Sequence, residues 1–570
     1  MRRHLGAIVM LSAAAMLTAA LATAALAATA TTPAAALPTP HTSSDPTETV
    51  PAPRIAATPA DGPRFQTSDR CFVCHNGTNS TTGLDVTIGA DWRSSLMANS
   101  SRDPYWQASV RRETMDHPHS GQTIEDECSI CHMPVARYHA KLDGKSGQVF
   151  SHLPLRLGRP EDREAADGVT CTVCHQISAT NLGTPASFTG GFAVDGSFAG
   201  AHLEYGPFDI DPGLQTVMHS STGGFMPARG DHIRTSELCA TCHTLVTKAL
   251  DTDGHEIGSL PEQMPYQEWL HSDFRYQRSC QDCHMPKLPA QTPIARIFST
   301  GRTGAARHEF VAANFFVQRI LSRYHDDLAV SATPQELMTA ADRTEQYLKT
   351  QAARVTISQP ELHPGTLEAL VTVENLGGHK LPTAYPSRRA WLHILVHDRH
   401  GATVFESGAL LPDGSIAGND NDSNPKQYEP HYQEIRSGDQ VQVYEAILRD
   451  AGGNVTTGLL SATGYLKDNR LLPVGFDKKT ADEQIAVHGT ASNDPDFTDH
   501  GDRVRYVVAV GRAEAPYEVI AELWYQPIGF RWATNLKSYA AAEPRRFTEQ
   551  YDAMSEAGAT ILASAHASVP

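Results

Sequence analysis

Glu125-Asp-Glu-Cys-Ser-Ile-Cys-His-Met-Pro134 carries at its centre a Cys-x-x-Cys-His pattern, Cys128/Cys131/His132, that decides how its surroundings fold. The pattern recurs as Cys71/Cys74/His75, Cys171/Cys174/His175, Cys239/Cys242/His243 and Cys280/Cys283/His284. The chain has ten Cys, and all of them are used in these motifs. From the Cys and His frequencies, roughly 0.01 such motifs would arise by chance. Two thiols three residues apart can each add to one vinyl group of a haem, and the adjacent His then lies under the iron as its proximal ligand. A disulfide framework would not need a His after each pair. Zinc would take two pairs per metal and leave one pair over. A thioredoxin-like pair occurs once, near a βαβ pattern, and not in succession. The motifs therefore specify five covalently bound haems c, with His75, His132, His175, His243 and His284 as proximal ligands.

Working outward, residues 65–330 hold all the Cys and many Gly, Pro and polar residues, and their apolar periodicity is broken. Such a composition makes a poor core by itself, but buried haem faces supply the missing apolar surface. This region is expected to be a haem-packed, mainly α or irregular cytochrome domain, with short helices and long loops around a haem stack. Thr333-Pro-Gln-Glu336 then reads as a capping box with Pro at the first helical position. Leu337, Ala341, Thr344 and Leu348 continue it at helical spacing, giving a connecting helix over 331–353. From 354 to 540 the period changes to two, as in Leu370-Val-Thr-Val373 and Tyr506-Val-Val-Ala-Val510, with turn signals such as Asp413-Gly414 between runs. That pattern predicts an antiparallel β-sandwich-like domain. Residues 541–570 read as a helical or loose tail. The fold class is multidomain.

The start of the chain bears on location. Arg2 and Arg3 precede an apolar run from Leu5 to Leu26, and Ala25 and Ala27 offer a cleavage site, so 1–27 reads as a secretory signal peptide. An uncleaved anchor is the other reading of a run this long. Residues 28–64, rich in Ala, Thr and Pro, cannot bury a core and read as a disordered tether. Haem is attached to such motifs after export, so the expected location is the periplasm or cell exterior. Net charge is −17, and loss of Arg2 and Arg3 with the leader makes it −19. That balance excludes nucleic acid as a partner. An acidic surface suits docking on basic patches of other redox proteins of the cell envelope, although solubility uses the charge equally well. Membrane contact would run only through an uncleaved anchor, and a homo-oligomer stays open.

What fills the sixth position of each iron separates a carrier from an enzyme. A second His closes the centre at low potential, Met raises the potential, and an open position permits catalysis. The distal candidates are His117, His139, His232, His271 and His308, with His119, His152 and His219 as alternates. His232 lies seven residues before Cys239 and His271 nine before Cys280, placing them to cap a neighbouring haem. His139 follows the second motif by seven residues, and His308 opens His-Glu-Phe-Val-Ala-Ala-Asn314, which reads as a helix start. Met97 and Met218 are the sulfur alternatives.

Glu125–Pro134, Asp167-Gly-Val-Thr-Cys-Thr-Val-Cys-His-Gln-Ile177 and Ser236-Glu-Leu-Cys-Ala-Thr-Cys-His243 resemble multihaem c cytochromes. The most similar group has a cytochrome region followed by a β-domain containing Gly378-His-Lys-Leu-Pro-Thr383. It is similar to the wider superfamily that holds the tetrahaem carriers of ammonia oxidisers and hydroxylamine oxidoreductase. The resemblance covers most of the chain after the leader, and only its haem motifs are highly specific. It implies close-packed, mainly bis-His haems that relay electrons, and it supports His117, His232, His271 and His308 as distal ligands. Ala312-Ala313 departs from the Gly-Gly that the family pattern has after that last His. Pentahaem ammonia-forming nitrite reductases are also similar, but their catalytic haem uses Cys-x-x-Cys-Lys, and all five motifs here end in His. In the β-domain, Asp413-Gly-Ser-Ile-Ala-Gly-Asn-Asp-Asn-Asp422 is a candidate Ca²⁺ loop whose acidic groups solvated turns also explain. His379, His393, His397, His400 and His431 also lie in this domain; pairs of them on adjacent strands could bind metal, but they read first as scattered structural residues. The expected function is electron transfer; the alternative is a multihaem oxidoreductase acting on a small nitrogen or sulfur compound at one open haem.

Overall fold

Short, capped helices dominate the first part of the chain because Pro, Gly and polar residues interrupt every apolar run. The computed structural model describes residues 65–194, 202–288 and 291–570; the leader and the tether lie outside the described residues. Asp103 opens the helix Pro104–Asp116 by accepting from the backbone N–H groups of Tyr105 and Trp106, and Asn314 opens Phe315–Arg323 by accepting from Val317. Such caps satisfy donors that a helix start otherwise leaves bare. Thr333 and Glu336 form the full capping box of Pro334–Gln351, whose buried stripe is Leu337, Ala341, Thr344 and Leu348 with Ala340.

Two differences from the sequence expectation fall in the motif region. His308 does not start a helix: the segment from 308 to 314 has no regular secondary structure, Phe310 takes a positive φ of 46°, and helix begins only at Phe315. Strands are also present there. Leu245–Leu250 and Glu256–Gln263 form an antiparallel hairpin, while His202–Gly206 pairs in parallel with Phe225–Arg229. The hairpin turns at Asp251-Thr-Asp-Gly254, where Gly254 takes a φ of +86° that favours glycine.

Beyond residue 352 the chain builds two larger sheets. One runs in the order Ala353–His363, Thr366–Asn375, Asp502–Ala509, Glu434–Ile435. The other runs Val443–Tyr444, Arg389–His397, Tyr517–Gln526, Thr560–Val569, with Thr403–Ser407 beside Arg389–His397. All pairings are antiparallel except that of Glu434–Ile435. Alternation drives burial: Leu367, Ala369, Val371 and Val373 point inward along one strand. Each Val or Leu buried this way stabilises by about 1.5–3 kcal/mol.

The tail expected to be helical or loose holds a helix, Ala542–Asp552, and then a full sheet strand, Thr560–Val569. Its register against Tyr517–Gln526, Ala521 opposite Ala565, puts Leu562 inside. Small residues alternate along it and hid the period-two signal. The change near residue 353 is one of secondary structure and not of packing. One apolar core joins Tyr105, Leu260 and Phe315 to Leu392, Val504 and Tyr525, and the described residues fall in one compact unit.

Candidate haem-binding site

Each motif sits on a single helical turn. The His75 N–H donates to the Cys71 carbonyl at 2.9 Å and that of His243 to Cys239 at 3.0 Å. The i, i+3 spacing then sets both thiols on one face with the His beside them. Thr170 and Ser279 cap the third and fifth turns immediately before their first Cys, accepting from Val173 and Asp282.

All ten Cys and all five motif His line one continuous cavity of 1330 Å³. A pocket for one drug-sized ligand spans about 300–1,000 Å³, so this space suits several large flat groups. Thiols of different motifs touch: Cys71 with Cys171, Cys131 with Cys242, and Cys239 with Cys280. Cys174 also lies close enough to Cys242 to feel its charge. The fourth motif therefore neighbours the second, third and fifth, and the first neighbours the third.

The imidazoles are held in one orientation. Nδ1–H donates to a backbone carbonyl in four of the five motif His: His75 to Ile294 at 2.7 Å, His132 to Ser100 at 2.9 Å, His175 to Tyr205 at 2.6 Å and His284 to Val311 at 2.5 Å. This leaves Nε2 with its lone pair free for a metal, the arrangement that carbonyl partners impose on metal-binding His. Burial disfavours charge on four of the motif rings: it pushes His132 and His284 down to about 4 and lowers His175 and His243. The Trp106 indole stacks on the His132 ring at 4.3 Å, fixing its plane.

Two further His join the cavity. The His308 ring faces His175 with centroids 6.3 Å apart, and the His379 ring faces His284 at 6.3 Å, with interplanar angles of 20° and 15°. With metal–nitrogen distances of about 2 Å, two imidazoles on opposite sides of one metal stand about 6 Å apart between centroids. Both newcomers have Nδ1 on a local carbonyl, of Ala306 at 3.2 Å and Lys380 at 3.0 Å. Burial pushes His308 down to about 3 and lowers His379 too. His379, from Gly378-His-Lys-Leu-Pro-Thr383, had read as structural. The available signal was its place in the one β-region segment that the family resemblance singled out.

The other candidates do not reach the cavity. His117 is buried with both ring nitrogens engaged, Nδ1 on the Asp251 carbonyl at 3.1 Å and Nε2 on Ser461 Oγ at 3.2 Å. His232 Nε2 donates to the Ile177 carbonyl at 2.8 Å and His271 Nε2 to that of Asp477 at 3.0 Å. His139 bonds Glu164 through Nδ1 at 2.9 Å, and its Nε2 is buried without a partner, away from the cavity. Of the alternates, His152 is held by Asp162 at 3.0 Å, and His119 and His219 are exposed. Spacing along the chain could not separate these rings, because their partners come from segments up to 344 residues away. Met97 and Met218 do line the cavity.

The Asp413–Asp422 loop does not gather its oxygens on a cation. Asp422 accepts from Arg389 at 2.7 Å and from the Ile416 N–H at 2.8 Å, and Asp413 from Ser415. A buried arginine does there what calcium would.

The donor set fits covalently attached haem: paired sulfurs, oriented neutral imidazoles and an apolar cavity that runs from motif to motif. No protein-family model matches the chain, and no curated protein matches it. Among solved structures, the fold is similar to that of a penta-heme cytochrome c552 from Thermochromatium tepidum, at 16 % identity and a TM-score of 0.50. The likeness covers 89 % of this chain and 99 % of that one. At such identity it is a likeness of fold. No helix among the described residues is long and apolar enough to cross a membrane.

Proposed function

We propose that the chain is an exported multihaem c-type cytochrome holding five haems and transferring electrons. The observation that carries this reading is the sulfur-to-sulfur contact between motifs, which sets neighbouring attachment points side by side in one cavity. Haem, when bound, supplies a one-electron redox centre whose potential follows its axial ligands. The chain's own work is to fix Nε2 of four motif His through carbonyl bonds, exclude water with apolar walls, and set His308 and His379 opposite His175 and His284. His175 with His308, and His284 with His379, are read as bis-His pairs. The branching at the fourth motif gives it three neighbours, so it is the junction of the relay. The β-region contributes His379 and acts as scaffold. Redox proteins of the cell envelope are the partners that an acidic exported carrier would meet.

A second reading is favoured by a specific observation. Among the described residues, only His308 and His379 join the motif His in the cavity, leaving three motif His without a facing imidazole. Beside the second and fourth motifs the wall carries Tyr105, Tyr385 and Glu262, whose carboxyl burial pushes up to about 7. A protonated carboxyl and phenols next to an open iron would suit an oxidoreductase for a small nitrogen or sulfur compound.

Electron paramagnetic resonance of the oxidised, fully loaded protein tests both. Low-spin signals from at least the two paired haems are expected. Spectra that are high-spin throughout would sink the bis-His pairing, and a high-spin component integrating to about one haem would move the assignment to the second reading.

A further inference from the structure

The segment that carries His379 also delivers a cation to the cavity. Residues 383–388 lead from it into the strand Arg389–His397, and their backbone is pinned. Ser387 Oγ donates to the Pro527 carbonyl at 3.0 Å, and the Ser387 carbonyl accepts from the Gly529 N–H at 2.8 Å. On the other side, Arg389 is held by Asp422 at 2.7 Å and Gln526 at 2.9 Å. Arg388, between these anchors, is half-buried and lines the cavity. A guanidinium has five N–H donors. Arg388 spends one, on the Thr383 carbonyl at 3.1 Å, and among the described residues no carboxylate pairs with it. Tyr525 stands beside it. The tyrosine is 0 % exposed, lines the same cavity, and its hydroxyl has no hydrogen-bond partner. Tyr525, His243 and His379 all feel the Arg388 charge.

The protein supplies no counter-charge for this guanidinium. Two other cations lie near His379, and both are spent: Lys380 Nζ and Arg470 bond Asp468 at 2.8 and 2.7 Å. Glu268, the acid near His379, is taken by Arg470 at 3.0 Å and by the Thr383 hydroxyl at 2.6 Å. Arg70, Arg234 and Arg278 also line the cavity, but they are exposed and water can solvate them. Holding a cation against an apolar wall without a partner is unfavourable. A fixed guanidinium fork matches a carboxylate, and a phenol beside it adds a further donor.

We propose that Arg388 and Tyr525 form a carboxylate seat for a propionate of a haem attached at the fourth or fifth motif. The inference rests on the haem reading above. Haem carries two propionate side chains, so filling this cavity brings carboxylates into an apolar space that cannot solvate them. Arg388 is placed to receive one because its backbone is anchored on both sides. Neutralising a carboxylate close to the iron favours the reduced state, so the seat raises the potential of that haem.

Redox titration and resonance Raman spectra of the full-length, haem-loaded protein are the test, with haems counted by mass in every variant. Arg388→Gln should lower one midpoint potential and shift a propionate bending band, and Arg388→Lys should bring the midpoint back. Tyr525→Phe, which keeps the packing, should lower the same midpoint by less. Arg275→Gln removes an equal charge from an exposed side chain outside the cavity and should move nothing. Five haems with every midpoint and the Raman band unchanged in Arg388→Gln overturn the proposal. So does a spectral response to added nitrite that Arg388→Gln loses while its midpoints stay put, which assigns the seat to a free anion. If Arg388→Gln does not load, an unmoved midpoint in Tyr525→Phe and Arg388→Lys together overturns it. An unsubstituted chain whose mass shows no haem at the fourth and fifth motifs overturns the haem reading and this proposal with it.

Discussion

Replacing His379 with Ala should convert one haem from low-spin to high-spin while mass spectrometry still counts five haems attached. The thioether positions, Cys280 and Cys283, are untouched by the change. What it removes is the only imidazole among the described residues that faces His284, at 6.3 Å between centroids. His379 Nδ1 is occupied by the Lys380 carbonyl at 3.0 Å, so its Nε2 is the atom presented to the cavity. His379→Met should keep that haem closed but move one midpoint potential upward, within the ~0.8 V span that axial ligands command. His271→Ala serves as the control. That ring lies only nine residues before Cys280, yet it spends Nε2 on the Asp477 carbonyl; spectrum and potentials should not change. If His379→Ala leaves the spin state and redox titration as they were, this residue is not a ligand and the β-region is scaffold alone.

The contrast between His379 and His271 shows how far sequence reaches here. Covalent attachment is local: two sulfurs and an imidazole within one helical turn, so five sites were legible from spacing. The facing imidazole is not local. His284 and His379 are brought together by tertiary packing, and only the segment Gly378–Thr383, singled out by resemblance, sets His379 apart from His393 or His397. Proximity to a motif does not tell which rings line the cavity, since the turn that ends Pro265–Leu270 sends His271 to the Asp477 carbonyl. The same division holds for the fold. Thr333 and Glu336 write a helix start that needs no tertiary help, and the alternation in 366–375 is plain. Strand Thr560–Val569, mostly Ala and Ser, acquires its state from pairing with Tyr517–Gln526. The hairpin at Asp253-Gly254 carried a usable turn signal that the broken apolar pattern around it obscured.

Asp468→Asn should be the most destabilising single change outside the motifs, by about 3–5 kcal/mol, because it strips a buried charge network of its centre. Asp468 is 1 % exposed. It accepts from Lys380 Nζ at 2.8 Å and from Arg470 at 2.7 and 2.9 Å. Arg470 also reaches Glu268 at 3.0 Å, and Glu268 accepts from the Lys380 N–H at 3.1 Å and the Thr383 hydroxyl at 2.6 Å. Glu268 belongs to the motif region and the others to the β-region, so the network rivets the two beside His379. Burial by itself would raise the Asp468 carboxyl, but Arg470 and Lys380 outweigh it and hold the group well below the usual carboxylate range. A carboxyl depressed by folding contributes stability that is complete above its unfolded value of about 4 and is lost as pH falls below it. Acid should therefore weaken the unsubstituted protein through this site, and Asp468→Asn should show a lower midpoint at neutral pH with a shallower further loss below pH 4. Because Lys380 adjoins His379, the variant should also broaden the low-spin signal of the haem at the fifth motif. A variant with an unchanged neutral-pH midpoint and an unchanged acid profile would show that the network is neutral to stability, and that packing in the shared apolar core alone holds the two regions together.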